Sequence, residues 1–172
     1  RQRQMCIRDR FNNMVYIAVV AVLITTTLLG MFTYYRYMEQ VKSGIKDEAA
    51  YLAASLNVKD NQNLNKYKNI TVSRITRVDQ NGKVIYDSSG KEKSMGNHKN
   101  RTEIKEAYEK GQGEDTRMSN TLRKQTYYYA VRLKDGTILR MSRETQTIIK
   151  QMEDIIPIIM LMLAVVTILS MI

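Results

Sequence analysis

The residues able to do chemistry lie in one stretch: the chain's only histidine, His98, then Arg101, Arg117 and the run Tyr127-Tyr128-Tyr129. A guanidinium is a planar fork of donors that matches a carboxylate or a phosphate. Arg101 and Arg117 are therefore the candidates for holding a small anion, with surface salt bridging as the competing reading. Alternate tyrosines on a strand share a side, so Tyr127 and Tyr129 either send hydroxyls into a cavity or simply pack. His98 lines the same pocket, senses pH, or serves as a hydrogen-bonding loop residue. None of these forms a catalytic constellation. Zinc takes about four ligands, and a lone histidine does not supply them, so neither a metal nor a cofactor is expected. The "GQG" at Gly111 follows a helix rather than opening one and lacks the Walker lysine, so it reads as a helix stop.

These residues need strands and a helix to position them. "RITRVD" and "KVIYD" flank "QNG", and Asn-Gly is a strong hairpin signal because a type I′ turn needs positive φ at both central residues. "RTEIKEAYEKG" reads as a short helix, capped by Thr102, with Ile104, Ala107 and Tyr108 on one face and Gly111 as its stop. "EDTRMSN" is a weak third strand. "QTYYYAVRL" and "TILRMSR" form a second hairpin around Asp135-Gly136. With Lys134 paired to Thr137, Ala130 faces Met141. One face then carries Tyr127, Tyr129, Val131, Leu133 and Ile138, and the other Tyr128, Ala130, Leu139 and Met141.

Upstream, "YMEQVKSGIKDEAAYLAASLN" has helical periodicity, with Met38, Ile45, Ala49, Leu52 and Leu56 on one seam. That seam suits packing on the domain's own sheet or a parallel helix pair between two subunits, and Ile45, Ala49, Leu52 and Leu56 are the candidate dimer seam. "VKDNQNLNKYKN" is a polar loop or loose helix end. At the other end, "ETQTIIKQMEDIIPII" has helical spacing at Ile148, Met152 and Ile156 and runs into an apolar segment in which Pro157 removes one helix hydrogen bond. Ile148, Met152 and Pro157 are the candidate signal-transfer positions.

The apolar residues concentrate at the two ends. No charge occurs from Phe11 to Tyr35, and about 20 apolar residues cross a bilayer core. Tyr34, Tyr35 and Tyr37 follow, where an interfacial aromatic belt belongs. A second uncharged run, Ile155 to Ile172, contains the chain's last residue, as a clipped second span would. Between the runs, residues 36–154 hold 23 Lys and Arg against 16 Asp and Glu, a net charge of +7. Such a surface favours lipid headgroups, wall polymers or acidic ligands, or is a solvated basic face. Nucleic acid is a poor partner for a domain tethered to a membrane at both ends.

The opening "RQRQMCIRDR" holds four arginines and the single cysteine, Cys6. It can be read as a basic cytoplasmic leader or as a palmitoylation site. Its codons can also be spelled as a transposon-end adapter used in sequencing libraries, in one frame through all ten residues. Residues 1–10 are accordingly expected to be translated adapter and are set aside from fold reasoning. The expected organisation is then a first transmembrane helix at 11–35, an extracytoplasmic domain at 36–154 and a second, truncated span at 155–172.

The order of elements, with "RITRVDQNGKVIYDS" and "NHKNRTEIKEAYEKGQGEDTRMSNTLRKQTYYYAVRLKDGTILRMS", resembles the extracytoplasmic PAS-like, single Cache-like sensor region of bacterial transmembrane histidine kinases. The resemblance is strongest to the phosphate-regulon type of Firmicutes. Asn97, His98, Arg101, Glu103, Ile104, Arg117, Ser119, Thr121, Leu122 and Tyr127 to Ala130 match its pattern; Gly96 departs from it, where the family often has Glu. The resemblance implies an α+β fold, a five-stranded antiparallel sheet in the order 2-1-5-4-3 with a long N-terminal helix packed on it. It implies a sensor outside the cell in a multi-pass plasma-membrane protein, working as a homodimer. It implies a stimulus relayed to an ATP-dependent autokinase outside this chain and thence to a response regulator. His98, between the spans, is not the phosphorylated residue. The ectodomain of a chemotaxis transducer or cyclase is the alternative within the class, and a membrane-anchored binding or assembly factor the alternative outside it.

Overall fold

Strand alternation and two tight hairpins build a sheet from β1 (Arg74–Val78), β2 (Val84–Asp87), β3 (Gln112–Met118), β4 (Gln125–Arg132) and β5 (Ile138–Glu144). All pairings are antiparallel and the strand order is β2-β1-β5-β4-β3, the order the resemblance implied. Among the described residues the helices include α1 (Gln2–Ser55), α2 (Asn61–Tyr67) and α3 (Thr102–Lys110), with a 3₁₀ turn at Glu92–Ser94. This computed structural model describes residues 2–56, 61–119, 124–145, 156–162 and 164–165.

The chain divides into two compact units, Arg1–Tyr37 with Thr147–Ile172, and Met38–Gln146. In the first, α1 carries a stretch long and apolar enough to cross a membrane, none of it buried. Leu28, Leu29, Met31 and Phe32 are all exposed. A helix that is apolar all round belongs in lipid or in a large core. Residues 156–162 are helical and Pro157, within them, is exposed. Ile148, Met152, Thr121 and Leu122 lie outside the described residues.

In the second unit, Val41, Ile45, Ala49 and Leu52 form the buried stripe of α1. The stripe faces the sheet: Glu48 bonds to Arg143 of β5 at 2.6 Å, and Lys46 pairs with Glu114 of β3 at 3.0 Å. This corrects the intersubunit seam. Ile45, Ala49 and Leu52 are between 0 and 3% exposed within one chain, so packing on their own sheet accounts for their periodicity. Leu56 is half-buried.

The first hairpin differs from expectation in its turn type, and the second in its register by one residue. The amide of Asp79 donates to Lys83 O and that of Gly82 to Asp79 O. Likewise Leu133 N donates to Thr137 O and Gly136 N to Leu133 O. Each loop therefore has three residues, a type I turn closed by a glycine in the left-handed region, with φ 83° at Gly82 and 81° at Gly136. The Asp79 carboxylate accepts from the amides of Asn81 and Lys83 and fixes the first turn in this form. A slip of one residue turns every side chain of a strand to the other face. Ala130 therefore pairs with Arg140, not Met141, and Tyr129 pairs with Met141.

Candidate functional site

The corrected register sorts the strands into two faces. Directly paired residues share a face, so Tyr127, Tyr129, Val131, Leu139, Met141, Arg143 and Ile75 lie under α1. Tyr128, Ala130, Ile138, Arg140, Thr76, Val78, Gly113 and Arg117 lie on the other side, under α3. There Val78, Val84, Ile104, Ala107, Ala130 and Ile138 make a small apolar cluster with Met95 and Tyr108 packed against it. Gly113 lets α3 sit directly on β3. A Cβ there would overlap the Glu103 carbonyl, the Glu106 Cβ and the Ala107 amide.

Beside that cluster lies a buried line of charge. The Glu103 carboxylate, fully buried, accepts two bonds from Arg117 at 2.7 and 2.9 Å and one from Arg140 at 3.3 Å. Arg117 also pairs with Asp115. Arg140 donates onward to the Thr76 hydroxyl at 3.3 Å, which donates to Asp87 at 2.9 Å. Arg74 closes the line with a forked contact to Asp87 at 3.0 to 3.1 Å. The Tyr128 ring lies against both guanidiniums, with Arg117 Cζ 4.1 Å and Arg140 Cζ 5.1 Å from its centre. These are cation–π distances.

The start of α3 is anchored by the first hairpin. The Asn97 amide group donates to Asn81 O and the His98 amide to Gly82 O, both at 2.8 Å. Thr102 is the first helical residue rather than the cap. Arg101 holds the cap position without a side-chain bond, and Gly111, with φ 86°, ends the helix as expected. His98 is 8% exposed, and its Nδ1 has no hydrogen-bond partner. Burial, joined by the positive charges of Arg140 and Arg101, lowers its pKa to about 4, so the ring is neutral at pH 7. Burial pushes the Glu103 carboxyl up, but the bonds from Arg117 and the charge of Arg140 outweigh it, and its pKa lies below the ordinary value. Burial pulls the Arg117 guanidinium down, but Glu103 outweighs this and its pKa is raised.

The α3 face thus unites His98, Arg101 and Arg117 with Glu103, Arg140, Tyr128, Thr76 and Asp87. It does not include Tyr127 and Tyr129. Strand alternation puts those two beneath α1, where Lys42 stands 5.9 Å over the Tyr127 ring and Lys46 5.6 Å over that of Tyr129. Their hydroxyls bond Glu114 and Gln112. Burial, with the bond to Glu114, raises the Tyr127 pKa. The tyrosine on the site side is Tyr128. Glu103, seen only as a match to the family pattern, and Arg140 are not among the site residues the sequence offers. Glu103 looks like an ordinary acid in a helix's first turn, and the expected pairing of Ala130 with Met141 places Arg140 on the face opposite Tyr128.

A long N-terminal helix on one face of a five-stranded antiparallel sheet, with a short helix over a polar cluster on the other, defines a PAS-like sensor fold. The chain belongs to the single Cache-like family, whose model matches residues 35–138. Domains of this kind are typical of extracytoplasmic sensors in signalling receptors. A search of curated proteins found no match to this sequence.

Proposed function

We propose that the chain is the sensing and membrane-spanning part of a two-component histidine kinase of the phosphate-regulon type, a homodimer in the plasma membrane with its sensor domain outside. Stimulus on the α3 face alters a cytoplasmic autokinase that lies outside this chain and phosphorylates a cognate response regulator. One observation carries the relay: β5 holds both Arg140, in the charged line of the α3 face, and Arg143, which grips α1. Arg143 donates to Glu48 at 2.6 Å and to Ser73 at 2.9 Å, while Thr71 donates to the same carboxylate at 2.8 Å. Displacement of β5 by a ligand therefore reaches α1 through a short, charge-assisted contact rather than through a loop. A ligand shifts such an equilibrium only by its difference in affinity for the two states.

The test uses the full-length product of the gene in membranes. Incubation with ATP is expected to yield phosphohistidine. Arg143→Ala, which removes the donor to Glu48, is expected to preserve basal phosphorylation while abolishing its response to stimulus. An output module of the methyl-accepting or cyclase type, or no phosphohistidine under any condition, overturns the kinase reading. An Arg143→Ala variant that keeps the full response overturns the relay.

A further inference from the structure

The charges at the start of α3 do not close among themselves. Three guanidiniums, Arg101, Arg117 and Arg140, face two carboxylates, Glu103 and Asp115. Arg101 is half-buried and its side chain makes no ion pair or hydrogen bond with any described residue. One positive charge is thus unmatched. Two of the three buried side-chain nitrogens without a partner among the described residues lie here, Nδ1 of His98, 8% exposed, and Nε of Arg140, 5% exposed; the third, Nε of Arg143, is on the α1 face. Buried polar groups in native proteins nearly always have partners, so two orphans in one neighbourhood call for an acceptor. Arg101 caps a helix of nine residues without a side-chain cap bond, and the start of a helix, where Glu103 already lies, favours negative charge.

We propose that the start of α3 binds one small oxyanion, a carboxylate or inorganic phosphate, held by Arg101, His98 and Arg140. The inference rests on the sensor reading and gives its ligand a chemical class. One anion balances the extra charge. Its oxygens accept from the free Arg101 fork, from Arg140 Nε, and from His98 when the neutral ring carries its proton on Nδ1. The Glu103 carboxylate stays on Arg117 and on the Nη1 group of Arg140. Binding is also linked to protons. The charges facing the His98 ring are Arg140 from β5, Arg101 and Glu103 from the start of α3, and Arg117 from β3. The three cations disfavour the protonated ring, and a bound anion offsets them. The His98 pKa then rises on binding, and affinity increases as pH falls.

Since the chain holds a single histidine, its ring can be observed alone. The full chain, isotope-labelled at histidine and held in nanodiscs of zwitterionic lipid, is titrated with sodium phosphate or sodium acetate against chloride at constant ionic strength. A saturable shift of the ring resonances is expected, with the His98 pKa rising by about one unit or more in the saturated form. Arg101→Gln, which removes no existing contact, is expected to weaken binding tenfold or more. Lys105→Gln, on the exposed side of the same helix, leaves it unchanged. A response to phosphate alone assigns a tetrahedral oxyanion and a response to acetate alone a carboxylate; either supports the site. No saturable shift with either anion, or an equal shift in Arg101→Gln, overturns it. Failure here in a receptor that still makes phosphohistidine removes the anion site and leaves the receptor reading standing. A positive titration without phosphohistidine does the reverse.

Discussion

The two faces of the sheet are made by the same strands and differ in what they bury. Under α1 the sheet buries Ile75, Leu139, Met141 and the Tyr127 and Tyr129 rings against Val41, Ile45, Ala49 and Leu52. Charge there is paired off: Arg143 with Glu48 at 2.6 Å, buried Arg77 with Asp135, and, at the edge, Lys46 with Glu114, which are 44% and 46% exposed. Under α3, one position along each strand, the sheet buries Arg140 and Thr76 with the carboxylates of Glu103 and Asp87. An apolar face is indifferent to which ligand is present. A face holding buried charges near balance responds to any added charge, because little solvent is there to screen it. The packing face holds the domain together, and the charged face is the one on which the proposed stimulus acts.

The contrast is broken most severely by removing the central carboxylate. Glu103→Ala leaves Arg140 buried without its partner, and deleting one member of a buried pair costs about 3–5 kcal/mol. Chemical denaturation of the full chain in micelles, followed by near-ultraviolet tyrosine dichroism, reads the loss. Acid is the next largest perturbation. His98 titrates near 4 in the fold against 6.5 when unfolded, so below pH 6.5 the unfolded chain takes up a proton that the folded chain refuses. Stability is full above pH 6.5 and falls as pH drops toward 4, by roughly 2–3 kcal/mol in anion-free buffer. His98→Asn should flatten that slope. The lowered carboxyls Glu103 and Asp87 add their own loss only as pH falls below the usual carboxylate range.

Smaller effects sharpen the comparison. Gly113→Ala places a methyl against the backbone of α3 and should cost about 1–3 kcal/mol, while shifting the His98 ring resonance because α3 must move. Lys46→Ala on the α1 face should cost at most about 1 kcal/mol, since an exposed pair is screened by solvent. A cost for Lys46→Ala equal to that of Glu103→Ala would erase the distinction between the faces.

The sequence announced its elements far better than its site. The alternation of "QTYYYAVRL", the glycines at 82, 111 and 136 and the spacing of Ile104 and Ala107 all correspond to observed strands, turns and helix. The register did not follow, because Asp-Gly fits both a two-residue loop and a three-residue loop closed by a left-handed glycine. The difference decided whether Arg140 joined Tyr128 or lay opposite it. The seam of α1 was visible as a periodicity, but its partner was not, since a periodic stripe suits a sheet as well as a second helix. The Glu48–Arg143 contact joins positions 95 residues apart, and local pattern carries no signal at that range.

The most direct measurement is a pair of double-mutant cycles in the full chain, one on Glu103 and Arg117 with glutamine at each, the other on Lys46 and Glu114. Geometry and burial predict a coupling of about 2–3 kcal/mol for the buried pair and about 0.2–1 kcal/mol for the exposed one. Equal couplings, or a buried pair coupled more weakly than the exposed one, would contradict the assignment of the α3 face as the charged, responsive side of the domain.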